Sequence, residues 1–163
     1  MDDSKLQDIL RSHKQIRDWS CSVSALEFVA KLYGLLALDS FPLQQDEGNQ
    51  KKGFGESTLQ ASLGLTGEEG HYDAQSALAL IEEETNQGRF PIVSLANLPA
   101  TPPRLTFHIH VAVSLQSQPT LIEPANGQVL ATGKEDLAKE LERNCQGNPV
   151  YSTIHIQTLR PDQ

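Results

Sequence analysis

The chain of 163 residues has little of several residue types that mark specialised protein classes. It contains two cysteines, one methionine and one tryptophan. Cys21 and Cys145 are too few for a disulfide framework, and their spacing does not suit a structural zinc site. A disulfide between them is not expected, because nothing marks the chain as exported. No apolar run approaches the length of about 18 residues that a transmembrane helix requires.

Positive charge is also scarce. Lysine and arginine total 13 residues against 21 for aspartate and glutamate, which gives a net charge of −8 and an isoelectric point near 5.0. This balance argues against nucleic acid or an anionic membrane as a partner. The first residues, Met1–Lys5, are polar and acidic and do not form a secretory signal, so a cytoplasmic location is expected. The hydrophobic content of 38% and the length predict a single domain over residues 1–163.

Helical periodicity dominates the first half of the chain. Asp73 is a plausible N-cap for the clearest of these helices. Ser57 or Thr58 is a plausible cap for a shorter one. A polar stretch over 39–56 predicts a loop. The predicted helices cover 4–13, 21–36, 57–65 and 73–87.

Strand patterns dominate the second half. Apolar and polar residues alternate over 107–115, which is typical of a strand with one apolar face. A loop with three prolines is predicted over 97–104, and one further helix over 134–144. The other predicted strands cover 90–95, 120–123 and 150–159. The order of elements predicts an α+β fold in which an N-terminal helical lobe packs on a C-terminal antiparallel sheet.

The segment around Cys21 carries the strongest functional signal. This cysteine begins an apolar helix, where the positive end of the helix dipole favours a thiolate. Gln15 lies six residues upstream, and its amide is able to donate a hydrogen bond to a developing oxyanion. A nucleophile with an oxyanion donor is half of a cysteine hydrolase.

The second half of such a site lies in the strand hairpin. His108 and His110 share one face of the predicted strand, and Glu123 ends the next strand, where a carboxylate would orient an imidazole. A metal site is the alternative, with His155 or Glu123 as a third ligand. That alternative leaves Cys21 without a role, so neither a metal nor a cofactor is expected.

The order of these features resembles the papain-like cysteine peptidase superfamily, and within it the family that trims double-glycine leaders from bacteriocins. The interval between Gln15 and Cys21 matches that family's spacing. Its second helix ends in Gly-Leu, as at Gly64-Leu65 here. Its histidine strand resembles 108–115. Glu123–Gly127 stands where the family has Asp-Pro-Ala-x-Gly.

The resemblance covers residues 12–158 and implies a papain-like fold. It also has departures. Ser22 follows the nucleophile where the family has glycine, and Glu123 replaces an aspartate or asparagine. Asn126 is therefore a second candidate for the orienting residue. His110 is a second candidate for the base, and if His108 is the base, His110 is expected to line the pocket.

The resemblance implies a cysteine peptidase that hydrolyses a peptide or isopeptide bond in a peptide or protein substrate. Cys21 would attack the carbonyl, and His108 would hold and transfer the proton. Glu123 would orient the imidazole, while Gln15 and the Cys21 N–H would bind the oxyanion. Two alternatives stay open: a papain-like acyltransferase or deamidase, and a catalytically inactive papain-like binding domain. The sequence leaves the oligomeric state open.

Overall fold

A six-stranded antiparallel sheet forms the centre of the fold, in the strand order β1-β6-β2-β3-β4-β5. The computed structural model describes residues 2–96, 107–147 and 153–162. The strands are β1 (Leu65–Tyr72), β2 (Ile92–Ala96), β3 (Phe107–Leu115), β4 (Gln118–Glu123), β5 (Gln128–Thr132) and β6 (Ile154–Pro161). The helices are α1 (Asp3–Ser12), α2 (Cys21–Leu32), α3 (Pro42–Gln45), α4 (Ser57–Ser62), α5 (Ala74–Asn86) and α6 (Lys134–Gly147), with a 3-10 turn at Glu47–Asn49.

Helices cover both faces of the sheet. On one face, α1, α2 and α4 pack against the sheet residues Ile92, Val111, Val113 and Ile122 in one apolar cluster. On the other face, α5 and α6 pack against Val93, Leu95, Ala112 and Leu121 in a second cluster. The α+β class is as predicted. The helices do not form a single lobe, however, because α5 and α6 lie across the sheet from α1–α4.

Strand β3 supplies side chains to both clusters by simple alternation. Val111 and Val113 point toward α2, whereas Ala112 between them points toward α5 and α6. By the same alternation, Phe107 and Ile109 lie on the α2 face, while His108 and His110 lie on the opposite face. Each residue of β3 therefore has a defined side of the sheet, which matters for the site below.

Several predicted elements agree closely with the structure. Strand β3 has the predicted bounds, and the Asp73 carboxylate caps α5 by accepting a hydrogen bond from the Ser76 N–H at 2.7 Å. Helix α4, in contrast, begins after Glu56 and has no side-chain cap, so the prediction of Ser57 or Thr58 as its cap was wrong. The predicted loop over 39–56 contains α3 and the 3-10 turn.

Two strands have no counterpart in the prediction, namely β1 and β5. Both lie at the edges of the sheet, where each pairs with one other strand of the described residues. Strand β1 carries glycines where strand patterns usually have large residues. At Gly67 a side chain would collide with the backbone carbonyl of Thr158 on β6, so only glycine allows this pairing.

The predicted proline loop over 97–104 lies outside the described residues, as does the start of the strand predicted over 150–159. Within the described ranges, no helix is both long enough and apolar enough to span a membrane.

Candidate active site

Helix α2 places the thiol of Cys21 at its first turn. Ten of the twelve α2 residues are buried, because the helix packs between the sheet and the flanking loops. Cys21 is the first helical residue, and its side chain is exposed and free of any disulfide. The buried body of the helix therefore holds an accessible sulfur at the end where backbone N–H groups are unsatisfied.

Buried polar side chains anchor α2 to the segments that precede and follow it. The Glu27 carboxylate accepts a hydrogen bond from the Leu43 N–H at 3.0 Å, and burial raises the pKa of this group. Lys31 donates to His13 Nδ1 at 3.0 Å and lies 3.7 Å from the Phe41 ring centroid. Burial lowers the pKa of Lys31 to about 8 and that of His13 to about 3. The Glu27 contact ties α3 to the middle of α2, and the Lys31 contacts tie His13 and Phe41 to its last turn.

Gln44 of α3 holds the loop that precedes Cys21. Its side chain is fully buried. Its Oε1 accepts hydrogen bonds from the Ile16 N–H and the Ser20 hydroxyl, each at 2.7 Å. Its Nε2 donates to the Lys14 carbonyl at 3.0 Å. The loop over 14–20 is thereby tied to the protein interior by one residue that the sequence reasoning did not identify.

Gln15 lies on this loop and contacts both it and the strand hairpin. Its backbone N–H donates to the Ala125 carbonyl at 3.2 Å, which joins the loop to the turn after β4. Its side-chain Nε2 donates to the carbonyls of Arg17 at 2.7 Å and Asp18 at 3.2 Å. The amide is thus hydrogen-bonded to its own loop, and the predicted oxyanion role requires the amide to rotate.

His108 and Glu123 approach each other across β3 and β4. His108 Nδ1 lies 3.7 Å from Glu123 Oε1, a distance for an ion pair but too long for a hydrogen bond. Asn126 donates to Glu123 Oε2 at 3.4 Å, and its own Oδ1 accepts from the Gln128 N–H at 2.9 Å. Asn126 thus supports Glu123 and forms the turn.

One cavity of about 220 Å³ collects the predicted site residues. Its lining includes Gln15, Cys21, His108 and Glu123, together with Phe107 and Ile109. The fold brings these residues together from the loop before α2, from β3 and from the end of β4. No hydrogen bond of the Cys21 thiol is found in the part of the chain that the structure describes.

His110 lies behind this cavity instead of lining it, which differs from the expectation. Its side chain is 5% exposed, and within the described ranges its Nδ1 has no hydrogen-bond partner. Burial lowers the pKa of His110 to about 4, with a smaller lowering from His108 and an opposing effect of Glu123. His110 is therefore not among the described residues that line the cavity with Cys21.

Phe107 and Ile109 occupy the positions of β3 that face α2. The sequence reasoning did not assign either residue to the site, although both line the cavity beside Cys21. The signal was present in the alternation with Val111 and Val113, which marks the face of β3 turned toward α2. Their side chains make the wall opposite the thiol largely apolar.

Ser22, the residue that follows Cys21, has a structural partner. Its hydroxyl accepts a hydrogen bond from the Phe54 N–H at 2.6 Å. The side chain is therefore directed at the loop over 50–56, and it fixes the position of Phe54 beside the start of α2.

The alternative of a metal site requires a group of ligating side chains. Across residues 2–96, 107–147 and 153–162, no three histidine, cysteine or acidic side chains are grouped so that they could hold a metal ion. His155, considered above as a third ligand, contacts Glu69 instead, with Nε2 and Oε2 3.0 Å apart. Cys145 is a free thiol like Cys21, and burial raises its pKa.

No protein-family model matches the chain, and no curated protein is significantly similar to it.

Proposed function

We propose that this chain is a papain-like cysteine hydrolase that cleaves a peptide or isopeptide bond at Cys21. The observation that carries the proposal is the shared cavity. An exposed thiol at a helix start, a glutamine from the preceding loop and a histidine–glutamate pair from a distant hairpin all line it. These are the parts that nucleophilic acyl chemistry requires.

The proposed reaction has two steps. The Cys21 thiolate attacks the substrate carbonyl carbon and forms a C–S bond, while the imidazolium of His108 gives its proton to the leaving amine as the C–N bond breaks. Water then attacks the thioester, His108 takes its proton, and the C–S bond breaks to return the thiolate. Glu123 orients the imidazole. The amide of Gln15, once rotated from its loop carbonyls, and the Cys21 N–H stabilise the oxyanion.

The alkylation rate of Cys21 tests this proposal directly. The assay uses iodoacetamide near pH 6 in a Cys145→Ser background, so that Cys21 is the single thiol of the chain. A thiolate paired with imidazolium should react about tenfold faster than a free thiol, because its larger ionised fraction outweighs its lower intrinsic nucleophilicity. His108→Ala should abolish the excess rate, and His110→Ala should leave it intact. A wild-type rate equal to that of a free thiol would contradict the proposal.

A second candidate function is a papain-like domain that binds a peptide without cleaving it. A specific observation favours it: the β3 positions that face α2 carry Phe107 and Ile109, while His108 lies on the alternate face of the strand. On this hypothesis, wild-type Cys21 is alkylated as slowly as a free thiol, and Phe107→His raises the alkylation rate. On the hydrolase hypothesis, the alkylation rate of Cys21 is already high in the wild type, and Phe107→His leaves it unchanged.

A further inference from the structure

A second cavity, of about 360 Å³, lies beside the Cys21 cavity on the same face of the sheet. The two cavities share Phe107 and Ile109 as a common wall. The rest of the second cavity is lined mainly by Phe54, His71, Ser94 and His155. Its volume is in the range of small-molecule sites, and it would hold one aromatic ring with room for its substituents.

The floor of this cavity is a row of side chains from four neighbouring strands. His71 of β1 pairs with His155 of β6, His155 pairs with Ser94 of β2, and Ser94 pairs with Ile109 of β3. Because residues paired in register point to the same face, all four side chains lie side by side. The backbone hydrogen bonds of the sheet fix their spacing before any ligand arrives.

Phe54 and the two floor residues His71 and His155 form a row of three rings in contact. The Phe54 and His155 centroids are 5.6 Å apart with an interplanar angle of 38°, and those of His71 and His155 are 5.1 Å apart at 53°. Glu69 fixes the His155 ring through its 3.0 Å contact, and Ser22 fixes the backbone of Phe54. Together with Phe107, which also lines the cavity, these rings favour a flat aromatic ligand.

The polar groups on the cavity floor favour a ligand that carries a hydrogen-bonding group. Ser94 is 9% exposed, and among the residues described neither its hydroxyl nor the His71 ring makes a hydrogen bond. A purely hydrocarbon ring would desolvate these groups without replacing their hydrogen bonds, which costs free energy. A cationic group has no free carboxylate to pair with among the described lining residues, since that of the adjacent Glu69 is already paired with His155.

We propose that this cavity is a binding site for a phenolic ring. The ring packs against the side chains of Phe54, His155 and Ile109 that line the cavity, and its hydroxyl exchanges hydrogen bonds with Ser94 or His71. Two sources carry this chemistry, a free small phenol and a tyrosine side chain of a peptide. The proposal does not depend on catalysis at Cys21.

Titration followed by two-dimensional amide NMR tests the site. The probes are 4-methylphenol and toluene, which differ only by the hydroxyl. We expect 4-methylphenol to bind about fivefold more tightly, the value of about one net hydrogen bond. The shifted amides should include those of Phe54, Ser94 and Ile109. Cys21→Ala should bind as the wild type does, so failure of the hydrolase proposal leaves this result untouched.

Matched variants separate the hydroxyl contact from the ring contact. Ser94→Ala should bring 4-methylphenol and toluene to similar affinities. The control variant Ser114→Ala changes a serine of β3 that lies far from the cavity, and it should keep the difference in affinity between the two probes. Ile109→Trp should fill the cavity and abolish both interactions. Toluene binding as tightly as 4-methylphenol in the wild type, or shifts confined to other parts of the protein, would overturn the proposal.

Two further probes identify the source of the ring. N-acetyltyrosinamide binding as well as 4-methylphenol, with N-acetylphenylalaninamide weaker, supports a peptide-borne tyrosine. Binding of 4-methylphenol alone supports a small free phenol. Absence of binding by every phenolic probe refutes the site.

Discussion

Replacing His110 with leucine should remove a specific part of the protein's acid sensitivity. The imidazole is 5% exposed, and burial lowers its pKa to about 4. In the unfolded chain the same group has a pKa near 6.5. Between these values the unfolded state binds more protons than the folded state, so stability is lost as the pH falls from about 6.5 toward 4.

The size of the effect follows from the pKa difference. At pH 5 the group lies about 1.5 pH units below its unfolded pKa, and each unit corresponds to about 1.4 kcal/mol. We therefore expect the wild type to lose about 2 kcal/mol between pH 7 and pH 5 through His110 alone. At pH 7 His110→Leu should change stability little, because the buried Nδ1 that it removes has no partner in the described part of the chain.

Urea unfolding at pH 7 and at pH 5 measures this difference. The variant should lose about 2 kcal/mol less than the wild type between the two pH values. His13, whose pKa burial lowers to about 3, contributes equally to both proteins and cancels. His108→Leu is the matched control, because that side chain is 55% exposed and lies two residues away on the same strand. Equal pH dependence of wild type and His110→Leu would refute the reasoning.

Three further substitutions test the framework around the cavities. Gln44→Leu should lower the free energy of unfolding, measured in urea, by about 2–4 kcal/mol, because it leaves buried partners in the loop over 14–20 unsatisfied. Gln44→Glu should restore little of this stability, since a carboxylate cannot donate to the Lys14 carbonyl. Gly67→Ala should weaken the β1–β6 pairing through its collision with Thr158, visible as faster amide exchange in β1 and not in β4. Asp73→Ala should lower the urea midpoint of unfolding through loss of the N-cap, and Asp73→Ser should restore most of it.

Local signals in the sequence were sufficient for several elements. The alternation of Phe107–Leu115 gave the bounds of β3, and the position of Asp73 before an apolar stripe gave the start of α5. Each of these signals is contained within a short window. Strand β1 lacks such a signal, because its glycines and glutamates suit an edge position and its partner β6 lies about ninety residues further along the chain.

Strand β5 escaped prediction for a different reason. It is an edge strand whose apolar residues Val129 and Leu130 are 48% and 42% exposed, so its pattern does not separate an inner from an outer face. The prediction of the site was limited in the same way, because the pattern of β3 does not identify its inner face. Both faces of β3 are covered by helices, so the alternation shows that His108 and His110 share a face but does not show which face it is.

Phe107 and Ile109 line both cavities, so a ligand that shifts the Phe107 side chain in one cavity changes the shape of the other. We therefore expect phenol binding and the reversible binding of a second ligand in the Cys21 cavity to be thermodynamically linked. By reciprocity, each ligand would then change the affinity of the other by the same factor. A phenol titration repeated with the Cys21 cavity occupied would measure this linkage as a single number.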